Sequence, residues 1–180
     1  LSYIFWPDPV TSTIPSLISF IVWLIMLTGF MALLIYDLRW MLLPNRIVYP
    51  LIVVALLLVI YLAIAGDASS ILVNAIYSVL VGGGIFLLLF QISGGKWIGG
   101  GDVKLGALAG LVLHDPLLAF LMLLGASLLG TLFILPGLLL GKVKPTTRIP
   151  FGPFLIVSTI IVQLFGASII TWYKRSIGLE

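Results

Sequence analysis

Residues 47–65 read IVYPLIVVALLLVIYLAIA, nineteen consecutive positions without one charged side chain. A helix needs roughly 20 apolar residues to cross a hydrocarbon core of about 30 Å. Continuous apolarity without alternation fits such a helix and argues against the strand of a closed barrel. Working outward, five further runs of the same kind extend from Ile14 to Tyr36, Ile71 to Phe90, Val103 to Leu113, Leu117 to Leu140 and Phe154 to Tyr173. The expected fold is all-α, a polytopic transmembrane helical bundle of about six transmembrane helices. The run from Val103 to Leu113 is short. Asp102 and Lys104 bound it on one side and His114-Asp115-Pro116 on the other, so it is expected to tilt into a protein-lined cavity or to stop short of a full span.

Composition agrees. The 180 residues are 62% hydrophobic and 8% charged, and mean hydropathy is +1.31. About a quarter of a soluble domain is charged, so a soluble enzyme, an extended nucleic-acid binder and a disordered chain are excluded. The bilayer is the partner this composition demands; nucleic acid is not. Cysteine is absent, which removes disulfides, Cys-type zinc sites and thiol catalysis. Lys and Arg in short loops set orientation. With the N-terminus outside, the inner loops hold Arg39, Arg46, Lys96, Lys104, Lys142, Lys144 and Arg148, and the outer side only Lys174 and Arg175.

Six residues are acidic, and Asp8, Asp67, Asp115 and Glu180 fall in expected loops or termini, where a solvated carboxylate needs no special reason. Asp37 and Asp102 instead stand at the inner boundary of apolar runs, where an ionised group is costly unless it meets a cavity or a partner. Asp37, in Leu34-Ile35-Tyr36-Asp37-Leu38-Arg39, precedes by about two turns a helix end set by Pro44, where the helix dipole offers a carboxylate nothing. A headgroup-level charge balanced by Arg39 or Arg46 is its plain alternative. Asp102 precedes Val103-Lys104 and reads locally as an N-cap. Capping does not explain Gly99-Gly100-Gly101 before it. Glycines leave no side chain in the way of an approaching backbone, and a bound peptide is one such backbone.

Taken together, both aspartates lie on the Lys- and Arg-rich side. Two carboxylates sharing a site do not both ionise easily, so one keeps its proton near neutral pH. The ionised one takes a proton from water while the other polarises a peptide carbonyl. That is aspartyl-protease chemistry, needing no metal, cofactor, Cys or His. Which aspartate is the base stays open, because coupled carboxylates titrate as a pair.

Tyr36-Asp37 and Gly99-Gly100-Gly101-Asp102 resemble the GxGD class of membrane aspartyl proteases. Its two branches are the type IV prepilin (and preflagellin) peptidases and the presenilin and signal-peptide-peptidase group. Leu42-Leu43-Pro44-Asn45-Arg46, Val103-Lys104-Leu105 and Ile149-Pro150-Phe151-Gly152-Pro153-Phe154 are similar to segments of the first branch, in order and spacing. The Pro-Ala-Leu motif of the second is missing. The resemblance runs from about Leu33 to Phe154. It implies that Asp37 and Asp102 are the catalytic dyad of a prepilin peptidase linked to type IV pili or type II secretion. The implied substrate is a prepilin or pseudopilin with a class III leader, a short basic peptide ending in Gly before an apolar helix. Cleavage after that Gly is implied on the cytoplasmic side of the inner membrane. Bifunctional members also carry an N-terminal region whose Cys pairs bind zinc and which supports N-methylation. No such region occurs here, so residues 1–180 are expected to form a single membrane-embedded peptidase domain. Either the chain is a short, peptidase-only member or Leu1 lies within a longer one; the long first run without a basic flank does not read as a cleavable signal peptide.

Further residues are candidates for the substrate loop, each beside a plainer role. Gly99, Gly100 and Gly101 would shape the loop that receives the substrate backbone. Lys104 would contact substrate or anchor lipid phosphate, and it does not share a helical face with Asp102. Pro44 and Asn45 would fix the loop beside Asp37 or simply stop a helix. Pro150, Gly152 and Pro153 would loosen the start of the last helix near the site or merely start it. Gly106 and Gly110, like Gly137 and Gly141, read as small-residue packing pairs, Gly82-Gly83-Gly84 as a kink or a thin contact, and His114 as an outer-loop residue. Two rivals remain: a presenilin-like protease cutting inside the bilayer, and a small transporter relaying ions through buried acids. The second lacks a continuous polar path, since Asn74, Ser78, Thr131, Ser158 and Gln163 are scattered.

Overall fold

The computed structural model describes residues 14–141, 150–176 and 178, and every regular element among them is helical. In chain order these are α1 (Ile14–Trp40), α2 (Asn45–Ala65), α3 (Ala68–Val79), α4 (Ile85–Ser93), α5 (Gly100–Leu113), α6 (Pro116–Leu139) and α7 (Gly152–Ser176). A π-helical turn, Leu80–Gly84, joins α3 to α4 in one continuous rod. Of the residues singled out above, Asp8, Lys142, Lys144, Arg148, Ile149 and Glu180 lie outside the described ones.

Five stretches are long and apolar enough to cross a membrane: Leu17–Trp40, Asn45–Ala65, Ala68–Ser93, Pro116–Leu139 and Gly152–Ser176. The protein is a multi-pass membrane protein. The sixth expected segment, α5, has 14 residues, about 21 Å at 1.5 Å per residue, too short for a span. Its place explains why. Leu105, Leu108 and Ala109 are wholly buried, and α2, α3, α4, α6 and α7 all pack against it. Large apolar residues of the spanning helices, such as Leu57, Ile64, Leu128 and Phe133, point outward, as lipid in place of water allows. Exposed Trp40 and Trp97 lie at one end of the bundle and Trp172 and Tyr173 at the other, where interfacial aromatic belts belong.

Glycine lets the central helix come close. A Cβ on Gly82 would strike the Gly106 carbonyl, one on Gly106 the Gly82 carbonyl, and one on Gly110 the Ser78 carbonyl. The pair Gly106/Gly110 therefore packs as expected, and Gly82 makes a thin contact from within the π turn. Gly141 does not pack: it follows α6 with φ 66°, and a Cβ there would meet no described residue within 4 Å, which makes it a helix stop.

Neighbouring helices run antiparallel. Leu51 lies over Gly29, and Leu118 over Gly166, so α1 opposes α2 and α6 opposes α7. The ends of α1, α4 and α6 and the starts of α2, α5 and α7 thus gather at one end of the bundle. At the other, the α5–α6 turn is recessed. Ser78 donates both to the Gly110 carbonyl at 2.6 Å and to the Asp115 carbonyl at 3.2 Å, and Ser78 sits about 15 Å along the α3–α4 rod. His114, with φ 38°, closes α5 there inside the bundle instead of in an outer loop.

Candidate active site

Asp37 occupies the last turn of α1. The helix ends just beyond it: Met41 turns left-handed at φ 52°, and its N–H donates to the Asp37 carbonyl at 2.8 Å. Pro44 then starts α2, its carbonyl accepting from Ile47 and Val48 at 3.0 and 3.1 Å. The Asp37 side chain is 5% exposed, and its Oδ2 is buried without a hydrogen bond among the described residues. Arg39 does not neutralise it, since that guanidinium lies 5.0 Å over the Trp40 ring. What faces the carboxyl is Gly152 of α7, where a Cβ would overlap Oδ2, with Leu105 of α5 beside it.

Asp102 comes from α5. The expectation that it caps the helix and that three glycines form a loop before it is corrected in part. The cap position is Gly99, Gly100 and Gly101 already wind into the first turn, and Asp102 is the third helical residue. Its N–H donates to the Gly99 carbonyl at 3.0 Å, and its Oδ2 accepts the Gly99 N–H at 3.3 Å. Small residues allow this because the turn is tight. A Cβ on Gly101 would lie 3.1 Å from the Leu43 side chain, so the segment following Asp37 packs directly on the turn carrying Asp102. Asp102 stands outside the five spanning helices, and its carboxyl is pushed up to about 6, first by burial and then by the charge of Asp37, with the Gly99 N–H acting against both. The two carboxyls therefore sense one another.

A second link ties the same segments together. Lys104 Nζ donates to Asn45 Oδ1 at 2.8 Å and sits 5.3 Å over the Tyr49 ring. Asn45 and Tyr49 are one turn apart on α2, the spacing that puts them on one face, so the start of α2 grips the start of α5. Tyr49 and Leu43 were not anticipated. Tyr49 was legible in principle as the i+4 neighbour of Asn45, whereas nothing local to Leu43 announces its contact. Phe151 accepts the N–H groups of Phe154 and Leu155 at 3.1 and 3.2 Å and meets Phe86 edge-on at 5.7 Å. Pro153 is buried and Pro150 partly so; both sit beside Gly152 at the same end of the bundle. Among the described residues no three His, Asp or Glu side chains converge; the pair that does sense one another is Asp37 and Asp102.

Comparison with known sequences decides the family. A sequence model described as the type IV leader peptidase family matches residues 18–135. The chain belongs to that family. Type IV leader peptidase relatives, each named prepilin leader peptidase/N-methyltransferase, include one from Bacillus subtilis (strain 168), 31% identical over 79% of this chain and 55% of its own length. One from Aeromonas salmonicida (strain A449) is 34% identical over 81% and 50%, and one from Pseudomonas aeruginosa is 29% identical over 87% and 53%. The chain spans about half the length of these relatives. No solved structure matches it. The matched stretch contains Asp37, the Pro44–Asn45 turn, Asp102 and Lys104, and ends before Gly152.

Proposed function

We propose that this chain is a membrane aspartyl endopeptidase that removes the basic leader of type IV prepilins or pseudopilins, cutting after a Gly on the cytoplasmic side of the inner membrane. Asp37 and Asp102 share one proton. The ionised carboxylate takes a proton from water, and the hydroxide equivalent attacks the scissile carbonyl, which the protonated carboxyl polarises. The tetrahedral intermediate collapses as the leaving amine takes up a proton, and the dyad regains its starting state. The observation that carries this reading is the state of Asp102, a carboxyl held up near 6 by burial and by a second carboxyl arriving from another helix. Two acids so placed share one proton up to about pH 6. The membership in a family of leader peptidases supports the substrate class, and the Arg39, Arg46, Lys96 and Lys104 charges at the same end support the cytoplasmic side.

A proton-relay transporter fits less well. Ser78, Thr131 and Ser158 all donate to carbonyls, at 2.6, 2.8 and 2.7 Å, so their hydroxyl protons are committed to main-chain carbonyls, across to α5 and α6 for Ser78 and Ser158 and within α6 for Thr131. The test is leader cleavage of a type IV prepilin in membranes carrying this chain. Wild type is expected to trim the leader, with Asp37→Asn and Asp102→Asn inserted but inactive. Cleavage inside the substrate's apolar helix would instead favour the presenilin-like alternative.

A further inference from the structure

The start of α7 carries a second observation about Asp37. A helix start leaves its first N–H groups without partners inside the helix. In α7, Pro153 has no N–H, and those of Phe154 and Leu155 are both spent on the Phe151 carbonyl. The Gly152 N–H is the donor left. Gly152 is also the residue that lies against Asp37 Oδ2, a buried atom without a hydrogen bond among the described residues. The Gly152 main chain faces that carboxyl, and Leu105, 3.4 Å from where a Gly152 Cβ would stand, closes the third side. Any side chain at 152 would displace either the carboxyl or the first turn of α7.

We propose that Gly152 is a positioning residue for the dyad: by lacking a side chain it lets the first turn of α7 close on Asp37, fixing that carboxyl and presenting it with a main-chain N–H. This rests on the reading of Asp37 as one of the two catalytic acids and gives that acid a holder. A flexible substrate loop at Pro150, Gly152 and Pro153 is not needed for it. The holder acts on the reacting group and leaves the substrate untouched, so the effect belongs in kcat.

Gly152→Ala is therefore expected to lower kcat for prepilin cleavage roughly 10- to 100-fold while KM moves less than about twofold. Gly130→Ala, on α6, serves as the control. Its Cβ would meet Phe154 at an ordinary 3.5 Å, and kcat should stay near wild type. A thermal unfolding cycle in detergent reads the contact without using activity. Gly152→Ala should lower the midpoint by roughly 4 °C or more when Asp37 is present and by little in an Asp37→Ala background, where the methyl group occupies the space the carboxyl left. If Gly152→Ala alone does not fold, recovery of the folded protein in the double variant supports the contact, and failure of the double variant overturns it. Wild-type kinetics in Gly152→Ala, an effect confined to KM, or an equal loss in Gly130→Ala would also overturn it. Activity in Asp37→Asn sinks the dyad itself, whereas an inactive Asp37→Asn beside a fully active Gly152→Ala sinks this inference alone.

Discussion

Two aspartates stand in the first turn of a helix or at its cap, at opposite ends of α5, and the fold treats them differently. Asp115 caps α6: its Oδ1 accepts from Leu117 at 2.8 Å and Leu118 at 3.1 Å. Asp102 has one longer bond, 3.3 Å from Gly99, and a neighbour of its own charge in Asp37. The first carboxylate is fully used in holding a helix start. The second is half-buried, under-bonded and set against another acid, an arrangement that costs stability and makes sense where the group must exchange a proton. Both precede an apolar helical run; the three glycines before Asp102 set it apart in the sequence, and the partner arriving from α1 sets it apart in the fold.

The sharpest way to break this contrast is to neutralise each acid in turn. Asp37→Asn and Asp102→Asn should each cut leader cleavage by about 10²- to 10⁴-fold, the range of lost acid–base catalysis, with insertion unchanged by protease protection. Asp115→Ala should leave kcat close to wild type and lower thermal stability by about 1 kcal/mol, the worth of a cap. An inactive but stable Asp115→Ala would erase the distinction.

The packing that brings the two acids together can be broken separately. Gly82→Val has no room, because its Cβ would strike the carbonyl of Gly106 rather than a movable side chain. It should destabilise by about 3 kcal/mol, read as a fall in folded yield and midpoint. Any correctly folded fraction should cleave with near-normal KM.

A pH series sharpens the contrast without mutation. Asp102 holds its proton up to about 6, against 3.8 for a free carboxyl. Above about 6 Asp102 gives up its proton and the pair loses its acid, so kcat should fall roughly tenfold per pH unit on the alkaline limb. Stability carries the same sign. Between 3.8 and about 6 the folded chain keeps a proton that the unfolded chain has released, so stability is greatest below that window and declines as pH rises through it. Asp102→Asn should abolish that slope in thermal melts, and Asp115→Ala should leave it intact. A flat melting profile in wild type would show that Asp102 is not so burdened.

How much of this the sequence disclosed depends on the range of the interaction. Apolar runs report burial in lipid directly, so the spanning helices and the shortness of α5 were legible from composition and flanking charges. The aspartates were legible as well, because an acid at the edge of an apolar run demands a reason. The first turn of α5 was not. Propensity makes glycine a poor helix residue, and only the approach of Leu43 to Gly101 shows why glycine is kept there. The recess of His114 also escaped notice, because it depends on Ser78, 36 positions earlier, reaching the carbonyls of Gly110 and Asp115. Gly82 illustrates the limit well: the sequence offered a kink or a contact, and the three-dimensional answer is a contact made within a π turn.

The smallest effect is the most informative about how the two motif segments cooperate. Lys104 was open to a lipid or substrate role, yet it bonds Asn45 at 2.8 Å and lies over Tyr49, an internal clamp between the starts of α5 and α2. A clamp and a substrate contact make different predictions in combination. If Lys104 and Asn45 act through one another, Lys104→Ala and Asn45→Ala should each lower kcat about 3- to 10-fold, as the loss of a charged hydrogen bond on a partly exposed surface allows. The double variant should then lose little more than either single one, a non-additivity that marks a shared contact. Losses that multiply, or a rise in KM with Lys104→Ala alone, would move Lys104 from holding Asp102's helix to touching the leader.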